Sequence, residues 1–193
     1  RAELQALGAV LAKHPDIVIA ADDMYEHIYW APEPFVSFAE ACPALYDRTV
    51  TINGVSKAYA MTGWRIGYAG GPKTIIGAMK KIQSQSTSNP SSISQAASVA
   101  ALSGDQTCVR EMTRAFKERH DYVVAALNGI PGLRCLPSAG TFYAFPNVAE
   151  VLQAKGLKKG EDYAVGKYSL QAHGKAIAAG HNQGFVKILR GLP

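Results

Sequence analysis

The chain has 193 residues, of which 48% are hydrophobic and 18% charged, and its formal net charge is +5. This composition is typical of a globular protein with a sizeable core and argues against a disordered chain. The longest aliphatic runs fall far short of the roughly 20 residues that a transmembrane helix needs, so we expect no membrane span. The lysines and arginines are spread along the chain and do not alternate with aromatic residues on one face, which argues against nucleic-acid binding.

The elements predicted in the first half alternate between helix and strand. In chain order they are a helix over 2–13, strands over 16–21, 48–52 and 65–69, and helices over 73–85 and 93–102. Helices that separate continuous apolar strands are typical of a parallel or mixed sheet, so the predicted fold class is α/β.

The pattern changes near residue 105. Residues 105–127 predict one long amphipathic helix with a solvated charged face, and two short strand candidates around a turn follow within 130–146. We therefore predict two domains, one over 1–105 that contains the α/β sheet and a smaller α+β domain over 106–193.

The cysteines are Cys42, Cys108 and Cys135, which are widely spaced and form no Cys-x-x-Cys pair. Neither a disulfide framework nor a zinc site is expected from this spacing. The amino terminus also lacks the layout of a secretory signal. We expect a cytoplasmic protein with no bound metal.

Polar residues adjoin the predicted strands where ligands bind in open α/β sheets. Asp22 follows the first strand, Ser56 and Lys57 follow the second, and Arg65 opens the third. If the strands are neighbours and the third runs opposite to the others, these side chains converge at one edge of the sheet.

An aspartate, a lysine and an arginine without a His or Cys cluster form neither a hydrolytic triad nor a metal site. They suit a cofactor that carries a carbonyl, a basic ring nitrogen and a phosphate, as pyridoxal phosphate does. The Lys57 amine would form a Schiff base with the aldehyde, and Asp22 would keep the ring nitrogen protonated. Arg65 would bind the phosphate with help from the Ser56 hydroxyl.

Asp22 is preferred to Asp23 as the partner of the ring nitrogen. Tyr25 lies three residues after Asp22, where it could hydrogen-bond the phenolic oxygen of the ring. His27, in the same segment, is interpreted as a structural histidine.

Two segments of the sequence resemble motifs of class I and II aminotransferases. GVSKAYAMTGWRIG, residues 54–67, resembles the small-x-Ser-Lys and Gly-x-Arg-x-Gly cofactor-attachment pattern, and ADDMYEHIYW, residues 21–30, resembles the Asp-x-x-Tyr segment. The two segments lie in the family's order and at about its spacing. The lysine segment, together with IQSQSTSNPSSISQAA at 82–97, is most similar to the bacterial aspartate and prephenate aminotransferases.

This resemblance implies the fold type I architecture of pyridoxal-phosphate-dependent transferases. It implies that 1–105 is the C-terminal part of the cofactor-binding large domain and that 106–193 is the small domain. The implied reaction moves an amino group between aspartate or glutamate and a 2-oxo acid. Lys57 would hold the cofactor and move the proton during transfer, and Asp22, Tyr25 and Arg65 would contact the ring nitrogen, ring oxygen and phosphate.

The sequence also departs from the family pattern. Family members are about twice as long, so the chain resembles their C-terminal half, and we expect either a homodimer or a second chain that supplies the other half. Gly54 stands where many relatives have a phosphate-binding serine. Lys187 stands where the family has the arginine that binds the substrate α-carboxylate, and Arg190 follows three residues later; both are candidate substrate ligands. A lysine there keeps the charge but loses the planar fork of arginine.

Two other functions stay open at this point. Decarboxylases and lyases use the same Schiff base and differ in which substrate bond is broken. An inactive, truncated fragment that retains the motif is the second alternative.

Overall fold

The computed structural model describes residues 1–154 and residue 156. The chain forms two compact units, one from Arg1 to Arg114 and one from Ala115 onward. Lys187 and Arg190 lie outside the described residues. No helix among the described residues is long and apolar enough to cross a membrane.

The first unit contains helices, strands and two short 3-10 helices. Its elements are α1 (Ala2–Leu11), β1 (Ile19–Asp22), α2 (Phe38–Ala41), a 3-10 helix (Pro43–Arg48), β2 (Thr49–Gly54), a 3-10 helix (Thr62–Trp64), β3 (Gly67–Gly70), α3 (Lys73–Ser86), α4 (Ser92–Ser103) and the start of α5 (Thr107–Asn128). The boundary between the units falls within α5. The domain boundary predicted near residue 105 stays a prediction.

The three strands of the first unit form one sheet in the order β1-β2-β3. β1 pairs with β2 in parallel, with Asp22 opposite Ile52, and β2 pairs with β3 in antiparallel fashion, with Gly54 opposite Gly67. The ends of β1 and β2 therefore lie at the same edge of the sheet as the start of β3. The mixed sheet and the reversed third strand agree with the arrangement predicted from the sequence.

Apolar side chains beneath β1 form the core of this unit. The cluster contains Ile19, Phe38, Ala41, Cys42 and Leu45, with side chains of α1 packed against it. Helix α2 begins where the Ser37 hydroxyl accepts a hydrogen bond from the Glu40 N–H at 3.2 Å, as a capping serine does.

Hydrogen bonds from the Arg48 side chain connect the end of α1 and the segment after it to the start of β2. Its guanidinium donates hydrogen bonds to the carbonyl oxygens of Leu11, His14 and Ile17 at 2.7, 2.6 and 2.8 Å. The carbonyl of Ile17 is thus bonded to a side chain and β1 begins only at Ile19, which corrects the predicted start at residue 16. An arginine fork can satisfy several carbonyls at once because its five N–H donors lie in one plane.

The second unit is built around the C-terminal part of α5. Two short strands, β4 (Arg134–Cys135) and β5 (Pro146–Asn147), pair in antiparallel fashion, and α6 (Ala149–Ala154) follows them. The Asn128 side chain donates to the Cys135 carbonyl at 2.9 Å and accepts from the Cys135 N–H at 2.8 Å, so it aligns β4 with the end of α5. Leu127, Ile130, Leu133 and Cys135 form the core.

Candidate active site

Asp22 lies at the edge of the sheet where the sequence predicts the site. It is the last residue of β1, and its side chain is exposed and accepts a hydrogen bond from the Met24 N–H at 3.3 Å. The next residue, Asp23, donates its N–H to the Ile52 carbonyl at 2.9 Å, which prolongs the pairing with β2. The backbone on both sides of Asp22 is thereby fixed to the sheet.

Lys57 and Tyr25 are brought together from different segments. The Lys57 ammonium nitrogen lies 5.9 Å from the centroid of the Tyr25 ring, within the range of a cation–π contact. The turn that carries Lys57 is held by two side chains that are almost completely buried, Val55 and Ala58. Ser56 and Lys57, which lie between these two residues, are only partly buried.

Arg65 occupies a position that differs from the prediction. It does not open β3, which begins at Gly67; it ends the 3-10 turn before that strand in a left-handed conformation with φ of 56°. Its side chain is exposed and donates a hydrogen bond to the Thr62 carbonyl at 2.7 Å. Because Gly67 pairs with Gly54, Arg65 and the lysine turn leave the sheet at the same edge.

Gly54 lies where the segments carrying the predicted site residues meet. A Cβ atom at this position would lie 2.8 Å from the Ile66 carbonyl oxygen, 3.1 Å from the Gly67 Cα and 3.2 Å from the Met24 Cε. Two of these three neighbours are backbone atoms, which cannot rotate away. A side chain at this position would therefore push the start of β3 away from β2.

Asp23 is the more buried of the two neighbouring aspartates. Its Oδ2 atom is buried and has no hydrogen-bond partner among the described residues. Burial, and to a lesser extent the carboxylates of Glu26 and Asp22, raise the pKa of Asp23 above its usual value. Of these two neighbouring carboxylates, that of Asp22 is the more accessible, and its preference as the ligand stays a prediction.

The residues at this edge fit the chemistry of pyridoxal phosphate. Two cationic side chains, Lys57 and Arg65, offer an amine for the aldehyde and a guanidinium for the phosphate dianion. The exposed carboxylate of Asp22 is suited to a basic ring nitrogen. Within the described residues, no group of three His, Cys, Asp or Glu side chains could hold a metal ion.

A hydrogen-bonded pair next to the lysine turn is not predicted by any local sequence pattern. The Tyr59 hydroxyl donates to the Gln106 Oε1 at 2.8 Å, and the rings of Tyr59 and His27 meet edge to face with centroids 6.2 Å apart. Tyr59 and Gln106 are far apart in sequence, and no local pattern links them. The one available signal was the position of Tyr59 two residues after Lys57.

The sequence matches those of known proteins over most of its length. Residues 1–185 match the family described as aminotransferase class I and II. The chain is 57% identical over 173 residues to an aspartate/prephenate aminotransferase of Nitrosomonas europaea, covering 88% of this chain and 44% of the relative. It is 48% identical over 194 residues to an aspartate aminotransferase of Rhizobium meliloti, covering 98% of this chain and 47% of the relative. The chain thus spans less than half the length of these relatives.

Solved structures give the same result for the fold. The crystal structure of the aspartate aminotransferase from Rhizobium meliloti matches with a TM-score of 0.74 at 55% identity, covering 78% of this chain and 38% of that one. The aromatic aminotransferase from Pyrococcus horikoshii matches with a TM-score of 0.70 at 32% identity, covering 76% of this chain and 39% of that one. The predicted α/β class and fold type I architecture are confirmed. The chain belongs to the pyridoxal-phosphate-dependent aminotransferases of class I and II.

Proposed function

We propose that this protein is an aminotransferase that moves an amino group between aspartate or glutamate and a 2-oxo acid. The observation that carries the proposal is the arrangement at one sheet edge, where Lys57 lies near the Tyr25 ring, Asp22 ends β1 and Arg65 precedes β3, the two strands that flank β2. The relatives named aspartate aminotransferase and aspartate/prephenate aminotransferase support the choice of substrate. The chain spans less than half of the length of these relatives, and the proposal concerns the activity of the whole protein.

Each site residue has a proposed role that follows from its chemistry. When bound, pyridoxal phosphate supplies an aldehyde for attachment and a ring that draws electrons from the substrate. The Lys57 amine attaches the cofactor and then carries the proton to and from the substrate Cα. Asp22 keeps a proton on the ring nitrogen by pairing with it, and Tyr25 donates a hydrogen bond to the ring oxygen.

The phosphate and the substrate need further cations. Arg65 binds the phosphate through its guanidinium, and the Ser56 hydroxyl adds a donor. With no side chain at Gly54, the serine hydroxyl that many relatives use is absent, and Arg65 and Ser56 carry more of the interaction. Lys187 and Arg190 are proposed to bind the substrate carboxylates, where Lys187 acts as a point charge.

The organisation of the whole protein is part of the same proposal. Residues 1–105 form the C-terminal part of the cofactor-binding large domain, and 106–193 form the small domain. The protein works in the cytoplasm on a small amino acid and a 2-oxo acid, either as a homodimer or with a second chain that supplies the remaining half of the large domain. Light scattering of the purified protein separates a dimer from a monomer.

The assignment of Lys57 is tested by trapping the cofactor. The purified protein is incubated with pyridoxal phosphate, reduced with borohydride and digested, and the modified peptide is identified by mass spectrometry. We expect the label on Lys57, its loss in Lys57→Ala, and its retention in Lys80→Ala, which removes an exposed lysine of α3. Label that is spread over surface lysines, or unchanged in Lys57→Ala, would contradict the assignment.

The reaction class is tested on the cofactor-loaded protein with aspartate or glutamate. Amino transfer predicts that a 2-oxo acid is formed and that the amino group remains on the cofactor until a second 2-oxo acid accepts it. Release of carbon dioxide or of free ammonia would instead favour a decarboxylase or a lyase. Cofactor attachment without any turnover would favour the inactive-fragment alternative.

A further inference from the structure

Gln106 has a side chain whose orientation is fixed by its own hydrogen bonds. Its Nε2 donates to the Ala101 carbonyl at 3.0 Å and to the Gly104 carbonyl at 2.8 Å, which uses both amide protons. Only Oε1 is left to face Tyr59, and oxygen is purely an acceptor. The contact at 2.8 Å therefore requires Tyr59 to donate its hydroxyl proton, so Tyr59 must be the neutral phenol.

The surroundings of Tyr59 favour this neutral form. Burial, followed by the nearby Cys108 and Glu26 side chains, raises the pKa of Tyr59 above its usual value. The phenol is thus a donor anchored to a rigid acceptor between α4 and α5.

The contacts of Tyr59 repeat those of Lys57 two residues earlier. The Lys57 amine lies over the ring of Tyr25, and the Tyr59 ring contacts the ring of His27. In each segment the two contacting residues are two positions apart, so the segments face each other at two successive points. The backbone of His27 is held in place by a hydrogen bond from the Thr113 hydroxyl to the His27 carbonyl oxygen, with an oxygen–oxygen distance of 2.9 Å. Each segment is therefore held by a hydrogen bond at the residue two positions after Tyr25 or Lys57.

The backbone between Tyr59 and Lys57 is short and constrained. Ala58, the one residue between them, is 2% exposed. The Tyr59 N–H bonds the Val55 carbonyl at 3.3 Å and the Ala60 N–H bonds the Lys57 carbonyl at 3.2 Å, so the lysine turn is closed on both sides. A displacement of the Tyr59 ring is transmitted to Lys57 through one buried residue.

We propose that Tyr59 and Gln106 are positioning residues for the Lys57 amine, which hold the lysine turn at a fixed distance from the Tyr25 segment. This inference rests on the proposed function, in which Lys57 attaches the cofactor. Neither residue touches the cofactor in this proposal. Their effect is exerted on where the amine lies, and misplacement of a reacting group by about 1 Å can cost on the order of a hundredfold in rate.

The test compares Tyr59→Phe with Tyr46→Phe, which deletes the same hydroxyl from an exposed tyrosine. In Tyr59→Phe we expect a cofactor Kd about two- to tenfold higher, the effect of one lost hydrogen bond. We also expect a shift in the pH midpoint at which the visible absorption band of the cofactor-loaded protein changes, because the environment of the Lys57 nitrogen changes. Thermal stability alone is not diagnostic, since any lost hydrogen bond lowers it.

A double-mutant cycle adds a second criterion. If Tyr59 acts through Gln106, then Tyr59→Phe should have little further effect on the Kd or the pH midpoint in a Gln106→Ala background. In the cofactor-free protein, Tyr59→Phe should also speed hydrogen exchange at the backbone amides of positions 59 and 60, a measurement that does not involve the cofactor.

The outcomes separate this inference from the proposed function. If borohydride fails to trap the cofactor on Lys57 in the unmodified protein, the proposed function and this inference fall together. If trapping succeeds but Tyr59→Phe shifts neither the Kd nor the pH midpoint more than Tyr46→Phe does, only the positioning role is overturned. Additive effects in the double mutant would likewise contradict a joint role.

Discussion

Gly54→Ala adds a single methyl group where three segments of the candidate site meet. The new Cβ would lie 2.8 Å from the Ile66 carbonyl oxygen and 3.1 Å from the Gly67 Cα, closer than unstrained atoms approach. Both obstacles are backbone, so the strain must be relieved by moving the start of β3 away from β2. We expect the variant to fold with a displaced Arg65, which directly precedes Ile66.

The magnitude follows from two opposing effects. Overpacking of a tight site typically costs about 1–3 kcal/mol. Replacing glycine also restricts the unfolded chain, which returns about 0.4–1 kcal/mol. With the middle of each range, about 2 and about 0.7 kcal/mol, the net loss is about 1.3 kcal/mol, which for a chain of this size lowers the thermal midpoint by roughly 3 to 5 °C.

The matched control is Gly77→Ala in the interior of α3, where a Cβ would meet no described atom within 4 Å. This variant should gain about 0.5–1 kcal/mol because alanine is the better helix former. Thermal unfolding is measured for both variants by circular dichroism, and cofactor affinity is measured by titration. A Gly54→Ala protein that is as stable as the unmodified one and binds the cofactor equally well would refute the packing argument.

The remaining predictions concern single side chains. Asp23→Asn should raise the thermal midpoint at neutral pH by an amount worth less than about 1 kcal/mol, because the carboxylate is partly screened by solvent. Since the pKa of Asp23 is higher in the folded than in the unfolded chain, the ionised carboxylate destabilises the fold and the protonated carboxyl does not. The stability advantage of asparagine should therefore vanish as the pH falls below about 3.9. An advantage that grows in acid would contradict this. Arg48→Lys should cost about 1–3 kcal/mol in urea unfolding, because the single nitrogen of lysine lacks the planar fork that reaches three separate carbonyls, whereas Arg110→Lys, at an exposed side chain, should be nearly neutral. Asn128→Ala should cost a similar amount, since it leaves both backbone groups of Cys135 without their partner, and native-like hydrogen exchange at the Cys135 amide would argue against it.

The sequence predicted the elements of the first unit well, because helices and strands follow from local patterns, and which edge of the sheet carries the site stays a prediction. Continuous apolar runs predict buried strands, and polar residues directly after them mark the edge where ligands bind. The start of β1 was missed because Arg48, distant in sequence, bonds the Ile17 carbonyl. Arg65 was assigned to β3 because its apolar neighbours read as a strand, whereas its left-handed backbone ends the preceding turn. Such conformations are set by tertiary contacts and are not encoded in hydrophobic periodicity.

The contacts that position Lys57 were even less accessible to sequence reasoning. The bond between Tyr59 and Gln106 joins residues that are remote in the chain, and its polarity depends on how the Gln106 amide is oriented by two other carbonyls. Neither residue type is unusual for a loop or a turn. The motif around Lys57 therefore indicates the proposed attachment residue but not the residues proposed to position it.

Ala60 and Arg65 both have a left-handed backbone, and at Arg65 the residue that would be most stable there differs from the one that the proposed function needs. Their φ angles are 53° and 56°, a conformation that costs an L-residue roughly 1–2 kcal/mol and that glycine adopts freely. Glycine at either position would relax the fold, yet at Arg65 it would also remove the cation proposed to bind phosphate. Selection for thermal stability alone should therefore enrich glycine at both positions. Selection that also demands cofactor retention should accept it at Ala60 and reject it at Arg65.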